Sequence, residues 1–326
     1  MNKSIFLDIA KALRQGEKVE LSIEDFPCFG PEAAQQDIRF SADRLQEISL
    51  GLTQDDAQVF ERAAQAIDEK DMAWLGFKIV DDFDMAAINT QPSAQRKYGD
   101  QGSACRDSFV YFCNDNREIV CAYPYSERDF FQMKDATRGP SMHTTQFPGL
   151  TWTSIPLFDP VRLWLIGGSD VAVETAKLAC HVGFDVVVVD EDDTYITPER
   201  FPEAERILLD SLEDLSSLRA SEGDFICILT RGHVYDAEGC IWAVSQPADF
   251  ISMMGRKVKN KRIYKACMDG GMTQAQWDSI KLPIGFKFGA VSPAELSISI
   301  VAELVDRRYK IRYSQAAQDK HNDDVW

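Results

Sequence analysis

Val161-Arg162-Leu163-Trp164-Leu165-Ile166-Gly167-Gly168-Ser169-Asp170-Val171-Ala172 begins as a strand and ends as the first turn of a helix. Its first six residues are nearly all branched or aromatic apolar side chains, which suit a pleated, buried backbone. Two glycines break the run, and a helical spacing follows through Cys180. The same alternation continues downstream. Asp185–Val189, Arg206–Leu209, Phe225–Leu229 and Phe250–Met254 read as short strands, with a helix opening at Asp236. Short apolar strands alternating with helices predict a parallel sheet covered on both faces, a Rossmann-like α/β domain.

The glycine turn sharpens this reading. A dinucleotide site needs a first glycine for a tight turn, a second where backbone nears the diphosphate, and a small third residue for helix packing. Gly167 and Ala172 meet the first and third needs, with Gly168 between them, and Ser169 takes the second place. The next strand ends in Asp190, 23 residues after Gly167, near where a ribose-binding carboxylate is expected. Glu191, Asp192 and Asp193 follow, and so much negative charge disfavours a 2′-phosphate. A nucleotide such as NAD(P) and a Rossmann-shaped domain with no remaining ligand are both compatible with this turn. Thr230-Arg231-Gly232-His233 ends the fourth strand of the domain. Arg231 has a fork suited to a phosphate or carboxylate. His233 and Asp236 form either a polar pair facing a ligand or a loop residue and a helix cap.

Before Val161, the stretch Arg138–Pro160 is rich in proline and glycine and reads as a domain boundary. Upstream, Ile5–Gln15, Ser41–Leu50 and Asp55–Asp68 have helical spacing. Val19–Ile23 alternates as a strand, and Ser108–Tyr123 reads as a hairpin about Asn114-Asp115-Asn116. The expected organisation is an α+β domain over 1–155, the Rossmann-like domain over 156–314 and a polar tail over 315–326.

The chain has 326 residues and a formal charge of −17, from 35 basic and 52 acidic side chains. That balance argues against nucleic acid and anionic membranes as partners. Arg256, Lys257, Lys259, Lys261 and Arg262 form one concentrated basic stretch, a phosphate contact or a solvated face. No apolar run is long enough to span a bilayer, and Asp8 interrupts the N-terminal apolar residues, so a cytoplasmic location is expected. The eight cysteines form no C-x-x-C pair, which argues against zinc knuckles and thioredoxin-like redox chemistry. Cys105 beside Arg106 is the candidate for an activated thiol. His143 and His321 have no suggestive neighbours. No G-x-S-x-G, H-E-x-x-H or P-loop pattern occurs, so no catalytic set and no metal site is expected, and a non-catalytic role is favoured.

Four stretches, in order, resemble the xanthine dehydrogenase accessory protein family of the XdhC type. Gly167-Gly168-Ser169-Asp170-Val171-Ala172 is similar to G-A-G-H-V-A, and Val189-Asp190 with Arg200-Phe201-Pro202-Glu203-Ala204 to V-D-D-R…R-F-P-x-A. Thr230-Arg231-Gly232-His233-Val234-Tyr235-Asp236 resembles T-H-x-H-x-x-D. Met254-Gly255-Arg256, with Pro283-Ile284-Gly285-Phe286-Lys287-Phe288-Gly289-Ala290-Val291-Ser292-Pro293-Ala294-Glu295, resembles M-x-G-S…P-I-G-L-D-I-G-A-x-T-P-x-E. Ser292–Glu295 is also a capping box with proline at the first helical position, so a helix starts there. Gly285 and Gly289 precede it, as an anion nest or as a tight structural loop.

The resemblance implies a Rossmann domain that binds molybdenum cofactor (molybdopterin), a chaperone-like role in its sulfuration and delivery, and two partners: a molybdenum hydroxylase and a sulfurtransferase. A homodimer is compatible with it. The cofactor-binding residues it points to are Gly167, Gly168, Ser169, Asp190, Thr230, Arg231, His233, Asp236, Gly285 and Gly289. Three positions depart from the family pattern: Asp170 and Arg231 replace histidines, and Lys287 replaces an aspartate. The opening Ala10–Val19 resembles the family's start; after it Gly102-Ser103-Ala104-Cys105-Arg106 is a faint echo, and no Gly-Gly-Cys follows. Two other classes stay open: an NAD(P)-dependent oxidoreductase, and a divergent member acting only as an interaction module.

Overall fold

The computed structural model describes residues 3–22, 42–80, 108–134, 150–255 and 257–312. Cys105 with Arg106, His143, His321, Arg256 and the tail from 315 lie outside the described residues. The chain divides into two compact units between Asp159 and Pro160.

In the first unit, α1 (Lys3–Arg14) buries Phe6, Ile9, Ala10 and Leu13 along one stripe. It ends at Gly16, whose φ of +74° suits glycine. Helices α2 (Ala42–Gly51) and α3 (Ala57–Glu69) follow. Strands β1 (Ala73–Val80), β2 (Phe109–Asn114), β3 (Ile119–Cys121) and β4 (Leu150–Pro156) form an antiparallel sheet ordered β3-β2-β1-β4, and α4 spans Glu127–Lys134. Leu75, Phe77 and Ile79 of β1 and Val110 and Phe112 of β2 share one core with α1 and α3. Alternate residues on these strands and β4 build an aromatic set: Phe109 and Tyr111 each meet Trp152 edge-on. Within it Lys78 is fully buried, 3.7 Å from Asp129 and over the rings of Phe109 and Trp152.

Two expectations change here. Residues 19–22 form no strand; the Leu21 amide donates to Ser49 Oγ at 2.8 Å, so a side chain takes the place of a sheet neighbour. Leu150–Pro156 lies within the proline-rich stretch read as a boundary, yet it pairs with β1 along its whole length.

The second unit is the expected α/β domain. Its sheet, ordered β7-β6-β5-β8-β9, is parallel throughout and uses β5 (Arg162–Ile166), β6 (Asp185–Asp190), β7 (Glu205–Leu208), β8 (Phe225–Ile228) and β9 (Phe250–Met253). Helices α5 (Asp170–His181), α6 (Asp236–Ala243), α7 (Lys257–Asp269), α8 (Gln274–Ser279) and α9 (Pro293–Arg312) complete it. Side chains alternate through the sheet. Leu163, Leu165, Val186, Val188 and Cys227 pack with α5 and α9. Trp164, Ile166, Val187, Val189 and Ile228 pack with α6 and α7. Strands buried on both sides have no polar face, which is why they read as unbroken apolar runs. Residues 281–284 run along the outer edge of β9, where Lys281 pairs with Ser252 and the Ile284 amide reaches Met253 O at 3.0 Å. The other edge is β7, with Glu205 and Arg206 exposed. Among the described residues no helix is long and apolar enough to cross a membrane.

The chain runs from β5 outward to β7, then crosses back to β8. The strand order therefore reverses between β5 and β8, the place where ligands enter open α/β sheets.

Candidate functional site at the carboxyl ends of the strands

The loops after β5, β6 and β8 meet at this reversal point. Gly167, at φ +107°, donates to Val189 O at 2.8 Å, and a Cβ on it would lie 2.6 Å from Thr230 Cα. The first glycine is thus required by the close approach of two backbones. Gly168 is hemmed in from another side: a Cβ there would lie 2.8 Å from Tyr195 O. Ser169 caps α5, its hydroxyl accepting from the Ala172 amide at 3.3 Å. Asp170 pairs with Arg200, whose Nη2 also donates to Gly168 O; both distances are 3.1 Å.

Asp190 is the hub of the crevice and is 1% exposed. Its Oδ2 accepts from the Gly168 amide at 2.7 Å; its Oδ1 accepts from the amides of Glu191 at 2.8 Å and Asp192 at 3.1 Å. Arg231 adds Nη2 to Oδ1 at 2.9 Å and Nε to Oδ2 at 3.4 Å. A carboxylate offers about four lone-pair sites, so these donors fill it. The Arg231 guanidinium also lies 3.6 Å from Asp192 Oδ2 and stacks 3.6 Å from the centre of the Tyr195 ring. Hydrogen bonding to Asp190 holds it even more firmly protonated than a free arginine. The Thr194 hydroxyl, with lesser help from its amide and from Arg231, keeps Asp192 below the usual carboxylate range.

A second polar group stands beside the first. Asp236, 1% exposed, accepts a short hydrogen bond from the Thr230 hydroxyl at Oδ1 and faces His233 Nδ1 at 2.8 Å from Oδ2. Asp236 begins α6 without capping it. Gly232 and His233 both take left-handed backbone, φ +62° and +61°, which is unusual for a histidine and turns its ring onto Asp236. With Nδ1 engaged, Nε2 is the nitrogen left for proton exchange or a ligand. The ring is part-exposed, and Arg262 of α7 donates to the His233 carbonyl at 3.4 Å.

The third glycine-bearing loop follows residues 281–284 and so leaves the same end of the sheet. Gly285, at φ +88°, donates to Glu303 Oε2 at 2.6 Å, and Lys281 pairs with Glu303 Oε1 at 2.8 Å. The capping box forms as expected: Glu295 accepts from the amides of Val291 and Ser292, both at 2.9 Å, and Ser292 Oγ accepts from Glu295. Carboxylates of the chain itself therefore hold the amides of Val291, Ser292 and Gly285, while Gly289 is exposed with open space around it. Phe286, Phe288 and Val291 of this loop are exposed as well.

Sequence reasoning missed Tyr195, Arg200 and Glu303. Tyr195 and Glu303 carry no local pattern, and Arg200 is visible only as part of the R-F-P resemblance. Among the described residues no three His, Cys, Asp or Glu side chains cluster to hold a metal ion.

Residues 163–304 match the family model described as the XdhC Rossmann domain. The chain is 28% identical over 173 residues to a protein of Bacillus subtilis described as a probable xanthine dehydrogenase subunit, covering 52% of this chain and 50% of that one. It is 27% identical over 146 residues to the uncharacterized protein YqeB of Escherichia coli, covering 44% of this chain and 27% of that one. The matched stretch thus spans half or less of these curated relatives. A crystal structure described as a xanthine dehydrogenase from Bacillus halodurans aligns with TM-score 0.44 and 18% identity, over 77% of this chain and 66% of that chain. Residues 163–304 therefore form an XdhC-type Rossmann domain.

Proposed function

We propose that the protein is an accessory factor for a xanthine dehydrogenase-type molybdenum hydroxylase, taking molybdenum cofactor as cargo and assisting its sulfuration and insertion, with a sulfurtransferase as the second partner. The observation that carries this reading is the convergence of the three loops bearing XdhC-like motifs, after β5, after β8 and at 285–292, on one end of one sheet. In this reading Gly167, Gly168, Ser169, Asp190, Thr230, Asp236 and Gly285 hold the frame. The contacts to cargo come from the Nε2 edge of His233, the outer edge of Arg231 and the backbone at Gly289. A phosphate-bearing pterin suits a cation and a histidine on the rim of such a crevice. The exposed Phe286, Phe288 and Val291 suit docking of the client enzyme beside the cargo.

Thermal shift of the purified chain against molybdopterin, molybdenum cofactor, CTP and NAD(H) tests this. A rise in Tm with the pterin species alone is expected. His233→Ala should weaken pterin binding about tenfold, the loss of roughly one hydrogen bond to a charged group. A rise with NAD(H) alone, or with none of the four, overturns the carrier role.

A further inference from the structure

We propose that Arg231 is an internal stand-in for a nucleoside and the residue that keeps nucleosides and dinucleotides out of this Rossmann crevice. A nucleoside needs two things here: a carboxylate at the end of the second strand to accept from its ribose hydroxyls, and a flat surface for its base. Both are present, and Arg231 covers both. Its Nη2 and Nε lie on the Asp190 oxygens at 2.9 and 3.4 Å, where a ribose diol would donate. Its guanidinium plane rests on Tyr195 at 3.6 Å, where a base would stack. The remaining capacity of Asp190 is taken by three backbone amides, so no ribose can be held while Arg231 stays.

The surroundings favour the closed arrangement. Asp192 gives the guanidinium a second carboxylate. Arg200 ties Asp170, Gly168 and the Tyr195 carbonyl together, holding the segment that carries Tyr195 against the turn. Arg231 stands where the family pattern has a histidine, and an imidazole is too short and too weakly charged to serve both neighbours at once. The crevice of this chain is therefore specific by exclusion: it keeps the shape of a nucleotide site and fills it from within. Nucleosides are excluded whichever cargo the rim accepts.

Adenosine is the suitable probe, because it carries the diol and the base without a phosphate that could be held by the rim instead. By titration calorimetry and saturation-transfer NMR, the native chain should show no saturable binding at millimolar adenosine. Arg231→Ala should bind it at least about tenfold more tightly than the native chain, through hydrogen bonds newly available at Asp190. Arg231→Ser is the second variant should the alanine protein fold poorly. Adding Asp190→Asn to either should remove the gained binding. Native protein that binds adenosine as well as the variants do, or folded variants of both kinds that gain nothing, overturns the proposal. Neither result bears on the Tm response to pterin, so the two readings fail separately.

Discussion

Each unit has a glycine in its sheet region that a neighbour crowds, and the two neighbours differ in kind. Gly76 in β1 lies under the Tyr111 ring, and a Cβ there would come within 2.0 Å of the ring's end. Gly167 in the second unit faces backbone, with Thr230 Cα at 2.6 Å and Leu229 O at 2.7 Å from the same hypothetical atom. The Tyr111 ring can yield by loosening its packing against Phe109 and Trp152. A strand-end backbone fixed by its own hydrogen bonds cannot. The first unit therefore uses its glycine to seat a side chain, whereas the second uses its glycine to set the distance between two strand ends.

The largest effect is expected at Gly167. Gly167→Ala should cost on the order of 4 kcal/mol, adding a strained φ to a backbone collision. Gly76→Ala should cost about 1–3 kcal/mol, the range for an overpacked core whose neighbour can shift. Urea denaturation followed by tryptophan fluorescence measures both, and an equal or larger loss at Gly76 breaks the contrast. Ser169→Ala sharpens it on the helix side of the turn: losing the cap should lower stability by about 1 kcal/mol. An unchanged denaturation midpoint would mean that the hydroxyl does not cap α5.

The last test uses pH. Burial pushes Cys180 up to about 11 and Cys227 up to about 12, against 9.0 for an unperturbed thiol. Because the folded values are raised, the unfolded chain loses these protons first. Stability is full below about pH 9 and falls as pH climbs towards the folded values. The urea midpoint should drop from pH 8 to pH 11, and Cys227 should resist alkylation at pH 8 until denaturant is added. A midpoint that stays flat over this range would mean the two thiols ionise alike in both states.

The parallel sheet was legible because β5, β6, β8 and β9 are almost wholly apolar on both faces, and glycine or acid marks the ends of β5, β6 and β9. β5, β6, β8 and β9 can be named from sequence to within a residue or two. In the first unit, β1 lacks that punctuation: Gly76 and Lys78 interrupt it, and only the fold shows that one seats Tyr111 and the other is enclosed by aromatics. β4 sits among prolines and pairs all the same. In the site, Asp190, Arg231, His233 and Asp236 were visible as residue types at strand ends. Their partners were not, because a carboxylate facing solvent and one facing an arginine 41 positions away look identical in a sequence. Tyr195 was invisible for a related reason: stacking on a guanidinium leaves no periodic trace.

The charged outer strand β7 has a consequence for how the protein behaves in concentrated solution. A lone strand margin is a template onto which another chain's backbone can be laid, the first step of fibre growth. Glu205 and Arg206 would have to be stripped of water for that, while residues 281–284 already shield the opposite margin. Replacing this pair by valines would give crowded samples a route to gel that the natural sequence withholds.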